Sequence, residues 1–295
     1  FVTALLAQGW PALDALLAAV HVHGCAADRL VAHGCGPVGL TAGEVGRYGD
    51  EADWPTDQRE DDGGSLVFLS DPLPERLEIL GAPLVHLTFS SDRPQALVAA
   101  RLNDVAPNGQ STRVGIGLLN LTHRESHEHP TPLVPGQVIH ATVEMEDIAH
   151  AFAPGHRIAV SLSTSYWPIA WPSPELATLT VVTGDSFLTL PVRPPRDTDA
   201  SLRAFDPPEA APQTPHTTGP VAGAAVRRVT RDLLSGRMTV DFPRWTSVLE
   251  MPDIGHVHRG EGLARYEITD GDPLSATTIT RFRMQIERAG TTTEH

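Results

Sequence analysis

The chain contains no lysine: all 22 of its basic residues are arginine. That excludes Schiff-base chemistry on a lysine amine and any phosphate loop built on one. Positive charge is itself scarce, since 36 acidic residues leave a formal net charge of −14. Nucleic acid and anionic membrane surfaces both need an excess of positive charge, so neither is an expected partner. The two cysteines, Cys25 and Cys35, are too few to frame 295 residues with disulfides. They leave open one bridge, free thiols or a share in a metal site. No long hydrophobic run occurs, and the most apolar stretch, 1–20, is broken by Gln8, Pro11 and Asp14. It is preceded by no basic segment, so it does not read as a signal peptide. A reducing, cytoplasmic setting is expected. The first residue is Phe1 rather than methionine, which reads as a fragment or a processed piece.

What is present is globular in composition, with 41% hydrophobic and 20% charged residues. Glycine (25) and proline (26) favour many turns over long helices. Leu5, Leu6, Leu13, Leu16, Leu17 and Val20 recur at helical spacing in a leader. From about 34 to 64 the chain is loop-like and acidic, with Asp57, Glu60, Asp61 and Asp62 close together. The period then changes to two. Val85, Leu87 and Phe89 alternate with His86, Thr88 and Ser90; Ile139, Ala141, Val143 and Met145 alternate with His140, Thr142, Glu144 and Glu146; Ile158, Val160 and Leu162 alternate with Ala159, Ser161 and Ser163. These are expected strands with one inward and one wet face. Further strands are expected at 97–102, 114–121, 177–182 and 187–192, and later at 226–232, 237–242, 263–268 and 278–286, the first two of these later strands joined by a hairpin turn over 231–237.

Short strands separated by turn clusters predict an all-β fold, an antiparallel sandwich or jelly roll. Residues 193–222 hold seven prolines and read as an extended crossing segment. One β-domain over 39–295, behind a helical or irregular leader at 1–38, is expected, because the last strands are too few to close a core alone.

A search for chemistry returns little. Gly-x-Ser triplets centre on Ser65, Ser111 and Ser186, but the second following residue is Val67, Arg113 or Leu188, never the glycine that a nucleophile elbow needs. No catalytic residue is assigned. His21, His23, Cys25, His33 and Cys35 have the right chemistry for zinc, but their spacing matches no zinc-site pattern. The run from His123 through His127 to His129 reads as a polar loop whose side chains pair with one another. The acidic run at 57–62 lacks the glycine and ligand spacing of an EF-hand and reads as a solvated turn. No metal and no other cofactor is expected. Tyr166-Trp167-Pro168-Ile169-Ala170-Trp171 concentrates two of the five tryptophans. Such a turn plugs the end of a sandwich or stacks on a ligand.

The stretch Asp57-Gln58-Arg59-Glu60-Asp61-Asp62-Gly63-Gly64-Ser65-Leu66-Val67-Phe68 resembles the start of the C-terminal β-domain of the CocE/NonD hydrolases, the cocaine-esterase-like and Xaa-Pro dipeptidyl-peptidase-like serine hydrolases. The resemblance continues in order through Ser91-Asp92-Arg93-Pro94, 101–109, Leu119-Asn120-Leu121-Thr122-His123-Arg124, Pro154-Gly155-His156-Arg157-Ile158, Tyr166-Trp167-Pro168 and 268–276. It implies a jelly-roll (galactose-binding-like) sandwich that follows an α/β-hydrolase domain and helps enclose its substrate pocket. The family's Ser-Asp-His triad belongs to that other domain, and its Gly-x-Ser-Tyr motif has no counterpart here. Tyr166, Trp167, Trp171 and His123 are the candidates for lining the pocket or touching the hydrolase domain. The substrate, a small ester or peptide, would reach the chain through that partner. Two other readings are an independent carbohydrate- or peptide-binding module at the Trp167/Trp171 end, and a metal enzyme built on the leader histidines.

Overall fold

The computed structural model describes residues 57–201, 217–218, 228–288 and 291–294. The leader, with its cysteines and histidines, and most of the proline-rich segment lie outside the described residues. Contacts divide the chain into two compact units, with the boundary between residues 203 and 204. The sequence pattern predicts one domain over 39–295.

The first unit opens with a one-turn helix, α1 (Arg59–Asp62), followed by β1 (Leu66–Leu69), β2 (Leu77–Gly81), β3 (Leu84–Ser91), β4 (Leu97–Val105), β5 (Ser111–Asn120), β6 (Ile139–Glu144), β7 (Ile148–Phe152), β8 (Arg157–Ser163), β9 (Leu179–Val181) and β10 (Phe187–Thr189). One sheet has the order β1-β8-β4-β5; a second has β10-β3-β6, with β9 also on β3; β2 and β7 form a third pair. The pairs β1:β8, β2:β7, β3:β6 and β4:β5 are all antiparallel and nested one inside the next. The all-β expectation holds.

Alternation puts the core between the sheets. Val85, Leu87 and Phe89 of β3, Val98, Ala100 and Leu102 of β4, Ala141 and Val143 of β6 and Val160 and Leu162 of β8 form one buried cluster. The approach of the layers depends on β5. A Cβ at Gly117 would stand 2.6 Å from the Glu144 carbonyl oxygen, and one at Gly115 would stand 2.1 Å from Ile148 Cδ1. The outer face of β6 is wet, with His140, Thr142 and Glu144 exposed. The outer face of β8 is not, contrary to the alternation-based expectation, and neither is that of its neighbour β4. Arg101, Asn103 and Ser161 point away from the core yet are no more than 1% exposed. The acidic segment around α1 covers them.

In the second unit, β11 (Thr217–Thr218) and β12 (Arg228–Arg231) both pair with β13 (Arg237–Met251), which continues to β14 (His256–Thr269), β15 (Asp272–Arg288) and β16 (Thr291–Glu294). These ladders are far longer than the sequence pattern predicts, at 15, 14 and 17 residues for β13 to β15. Compactness comes from continuous pairing: among the described residues of this unit, Val240 is the buried apolar side chain. The predicted hairpin at 231–237 forms. Asp232 Oδ1 accepts from the amides of Leu234 and Ser235, and Gly236 turns the chain at φ 68°.

Candidate functional site

Polar and aromatic side chains gather on the β1-β8-β4-β5 sheet. The acidic segment is fastened to its outer face. Arg101, 1% exposed, donates from Nη1 to Gln58 Oε1 at 2.9 Å, and from Nη2 to Asp62 Oδ1 at 3.0 Å and Ser65 Oγ at 2.9 Å. The same carboxylate accepts from Ser161 Oγ at 2.7 Å, Ser111 Oγ at 3.0 Å and Asn103 Nδ2 at 3.3 Å. A buried guanidinium demands a paired and hydrogen-bonded partner, and Asp62 supplies it. The turn expected to be solvated is therefore a clasp. Asp57 adds to it by accepting from the Ser111 amide at 3.3 Å. Its carboxyl is held below the ordinary aspartate range, chiefly by the hydrogen bond from the Arg59 side chain.

Close by, Asp104 at the end of β4 lies between two histidines. His150 Nε2 is 3.0 Å from Oδ2, and His156 Nδ1 is 2.8 Å from Oδ1. This ties β7 and the turn before β8 to β4. Among the described residues, no group of three or more His, Cys, Asp or Glu is arranged to hold a metal.

The sequence-predicted candidates lie on the loop after β8 and the turn after β5. Ser163 is in register with Ala99, and Ala99 with Leu118. The aromatic loop after β8 and the turn after β5 therefore leave the sheet at the same end. His123 closes a 3-10 turn, Leu121–His123, capped by Asn120, and its ring lies 5.5 Å from that of His127. Tyr166 is half-buried, and its hydroxyl accepts a hydrogen bond from Arg113 of β5. The Ala170 amide donates to the Tyr166 carbonyl at 2.8 Å and closes the turn around a cis Trp167-Pro168 bond. Trp167 is half-buried, whereas Ile169 and Trp171 are 49% and 55% exposed. The loop is thus anchored through Tyr166 and presents Ile169 and Trp171 outward. It is not a plug at Trp171.

The serines of the three Gly-x-Ser triplets are held in structural hydrogen bonds. The hydroxyls of Ser65, Ser111 and Ser161 face Arg101 or Asp62, and that of Ser186 donates to the Val182 carbonyl at 2.9 Å. The residues that sequence reasoning missed are Gln58, Arg101, Asn103 and Ser161. The one available signal was a run of polar residues inside an otherwise apolar strand, Arg101-Leu102-Asn103-Asp104.

Taken together, these features describe an antiparallel β-sandwich module whose polar side chains hold its own segments in place. The sequence profile described as the X-Pro dipeptidyl-peptidase C-terminal non-catalytic domain matches residues 13–220, and the chain belongs to that family. It is 30% identical over 116 residues to cocaine esterase from Rhodococcus sp., a match covering 39% of this chain and 20% of that protein. Among solved structures it is similar to an alpha-amino acid ester hydrolase, at 30% identity and TM-score 0.45, over 46% of this chain and 27% of that one. It is also similar to an aminopeptidase from a marine-sediment Thaumarchaeota archaeon, at 23% identity and TM-score 0.46, over 50% and 30%. The chain spans about a fifth of the length of the curated relative it matches. Among the described residues no helix is long and apolar enough to cross a membrane.

Proposed function

We propose that this chain is the accessory β-domain of a cytoplasmic CocE/NonD-type serine hydrolase acting on ester or amide bonds, and that it helps enclose the substrate pocket of an α/β-hydrolase partner domain. The observation that carries this reading is the family match over 13–220, to a domain described as non-catalytic. The nested strand pairs support a jelly-roll wrapping of one long folded hairpin, as in the family the sequence resembles. The outward-facing Ile169 and Trp171 are the natural contact with the partner or its substrate, with Tyr166 and Trp167 in the same loop and His123 in the turn after β5 as further candidates. Apolar surface of this kind gains most when another surface covers it.

The chain alone is expected to leave p-nitrophenyl acetate and an Ala-Pro anilide unhydrolysed and to resist labelling by a fluorophosphonate probe. Supplying a hydrolase domain of the family should produce turnover that Trp171→Ala reduces. Covalent labelling of the chain itself would overturn the proposal. Saturable binding of a glycan by the chain alone, lost in Trp171→Ala, would favour an independent binding module instead.

A further inference from the structure

The sheet of the second unit lies almost entirely beyond residue 220, where the family match ends. A groove of about 590 Å³ opens on it, with Arg244, Glu261, Leu263, Arg281 and Arg283 in its lining. Its layout follows from register. Leu263 stands opposite Arg281, and Glu261 opposite Arg283, so these four side chains leave one face of the sheet. Between β13 and β14 the register shifts from Phe242 to Trp245, which sets both Pro243 and Arg244 across from Leu263. This is a bulge, the position in a sheet interior where a proline is tolerated and a side chain is re-aimed. Arg244 then meets Glu261 on that same face. Leu263 is therefore flanked by arginines on both neighbouring strands, about 10 Å apart at normal strand spacing, with a third arginine two residues along β15.

Charge distinguishes this patch. Three arginines face one glutamate, in a chain whose net charge is −14. Arg244 is paired with Glu261, whereas Arg281 is exposed and makes no ion pair among the described residues. A guanidinium presents a rigid fork that matches an oxyanion, and an apolar side chain beside it selects for more than bare charge. The volume falls within the range of small-molecule sites.

The geometry points to a binding site for a small organic anion, a carboxylate or phosphate carrying an apolar group. The oxyanion is held by Arg281 and Arg283, and the apolar part rests on Leu263. The test is calorimetric titration of the full chain with benzoate, phenyl phosphate, inorganic phosphate and the neutral benzamide. Benzoate or phenyl phosphate should bind saturably, and the stronger of the two identifies the headgroup. Inorganic phosphate should bind more weakly than phenyl phosphate, and benzamide not at all. Losing a charged hydrogen-bonding partner should weaken binding about tenfold or more in Arg281→Gln and in Arg283→Gln. Arg228→Gln, an exposed arginine on β12 outside the groove, should leave affinity unchanged. Absence of saturable binding by both aromatic anions, benzamide binding as well as benzoate, or equal weakening by Arg228→Gln would each overturn the site. Unchanged thermal unfolding of Arg281→Gln establishes that the sheet is intact. Should that variant unfold, Arg283→Gln carries the test.

Discussion

Asp62 and Arg101 show how one side chain changes the meaning of a segment. Read along the chain, Asp62 is one of several acids in a turn; in space it accepts from Arg101, Asn103, Ser111 and Ser161. Removing it leaves Arg101 buried without its main counter-charge. Asp62→Ala should therefore cost about 3–5 kcal/mol, measured by urea unfolding. Arg59→Gln breaks a solvent-facing ion pair with Asp57 and should lower the urea midpoint only slightly, far less than Asp62→Ala. Acid provides a second check. Asp199, hydrogen-bonded by Arg193, and Asp57, hydrogen-bonded by Arg59, both titrate below the ordinary aspartate value. A carboxyl depressed in the folded state contributes stability that is present above its unfolded pKa and lost as pH falls through the folded one. The urea midpoint should therefore hold steady down to about pH 4 and fall below it. Asp199→Asn should make that fall shallower, and an unchanged acid limb in the variant would remove Asp199 from the account.

The elements are legible where alternation is clean and obscure where a single residue interrupts it. The core strands β3, β6 and β8 are readable because Val, Ile, Leu and Phe recur at every second position. The sequence pattern ends this strand at Phe242, just before Pro243, but the bulge absorbs the proline and β13 runs on to Met251. β1, with all four residues exposed, shows no alternation, and the sequence pattern does not predict it. Close packing of the two layers makes its own prediction. Gly117→Ala places a methyl 2.6 Å from the backbone oxygen of Glu144, which cannot rotate away. It should destabilise by about 1–3 kcal/mol in chemical denaturation. At Gly109 nothing lies within 4 Å of an added methyl, and the cost of alanine comes from φ +84° alone, about 1 kcal/mol. Equal losses at the two sites would show that layer contact does not decide the effect.

Over the full chain, charge is unevenly spread. Residues 1–203 hold 12 arginines against 24 acidic residues, and residues 204–295 hold 10 against 12. The first unit repels polyanions, while the second is nearly neutral and can keep a local basic groove. The full chain should therefore show no retention of duplex DNA even at low ionic strength, where phosphate contacts are strongest. Retention that disappears with added salt would contradict this. The division into two units is itself not legible. Local pattern identifies a strand, but not whether its long partner is near enough in sequence to complete a separate sheet. The late strands are few, and length compensates for number.

The order of amino acids is enough to specify the class of the protein. Period-two alternation, dense turn residues and an ordered set of motifs indicate antiparallel β structure and the family, because side-chain direction in a strand depends only on parity along the chain. The same reading locates the aromatic loop and the His123 turn. What lies on the far side of each strand is settled only by folding. Parity separates the two faces of β4 and β8 but does not say that residues 57–65 return to cover one of them, turning Ser161 and Arg101 from wet to buried. Nor does it say that three arginines from β13 and β15 converge around Leu263. Both outcomes depend on register between segments distant in the chain, and register is set by pairing, which no single strand contains.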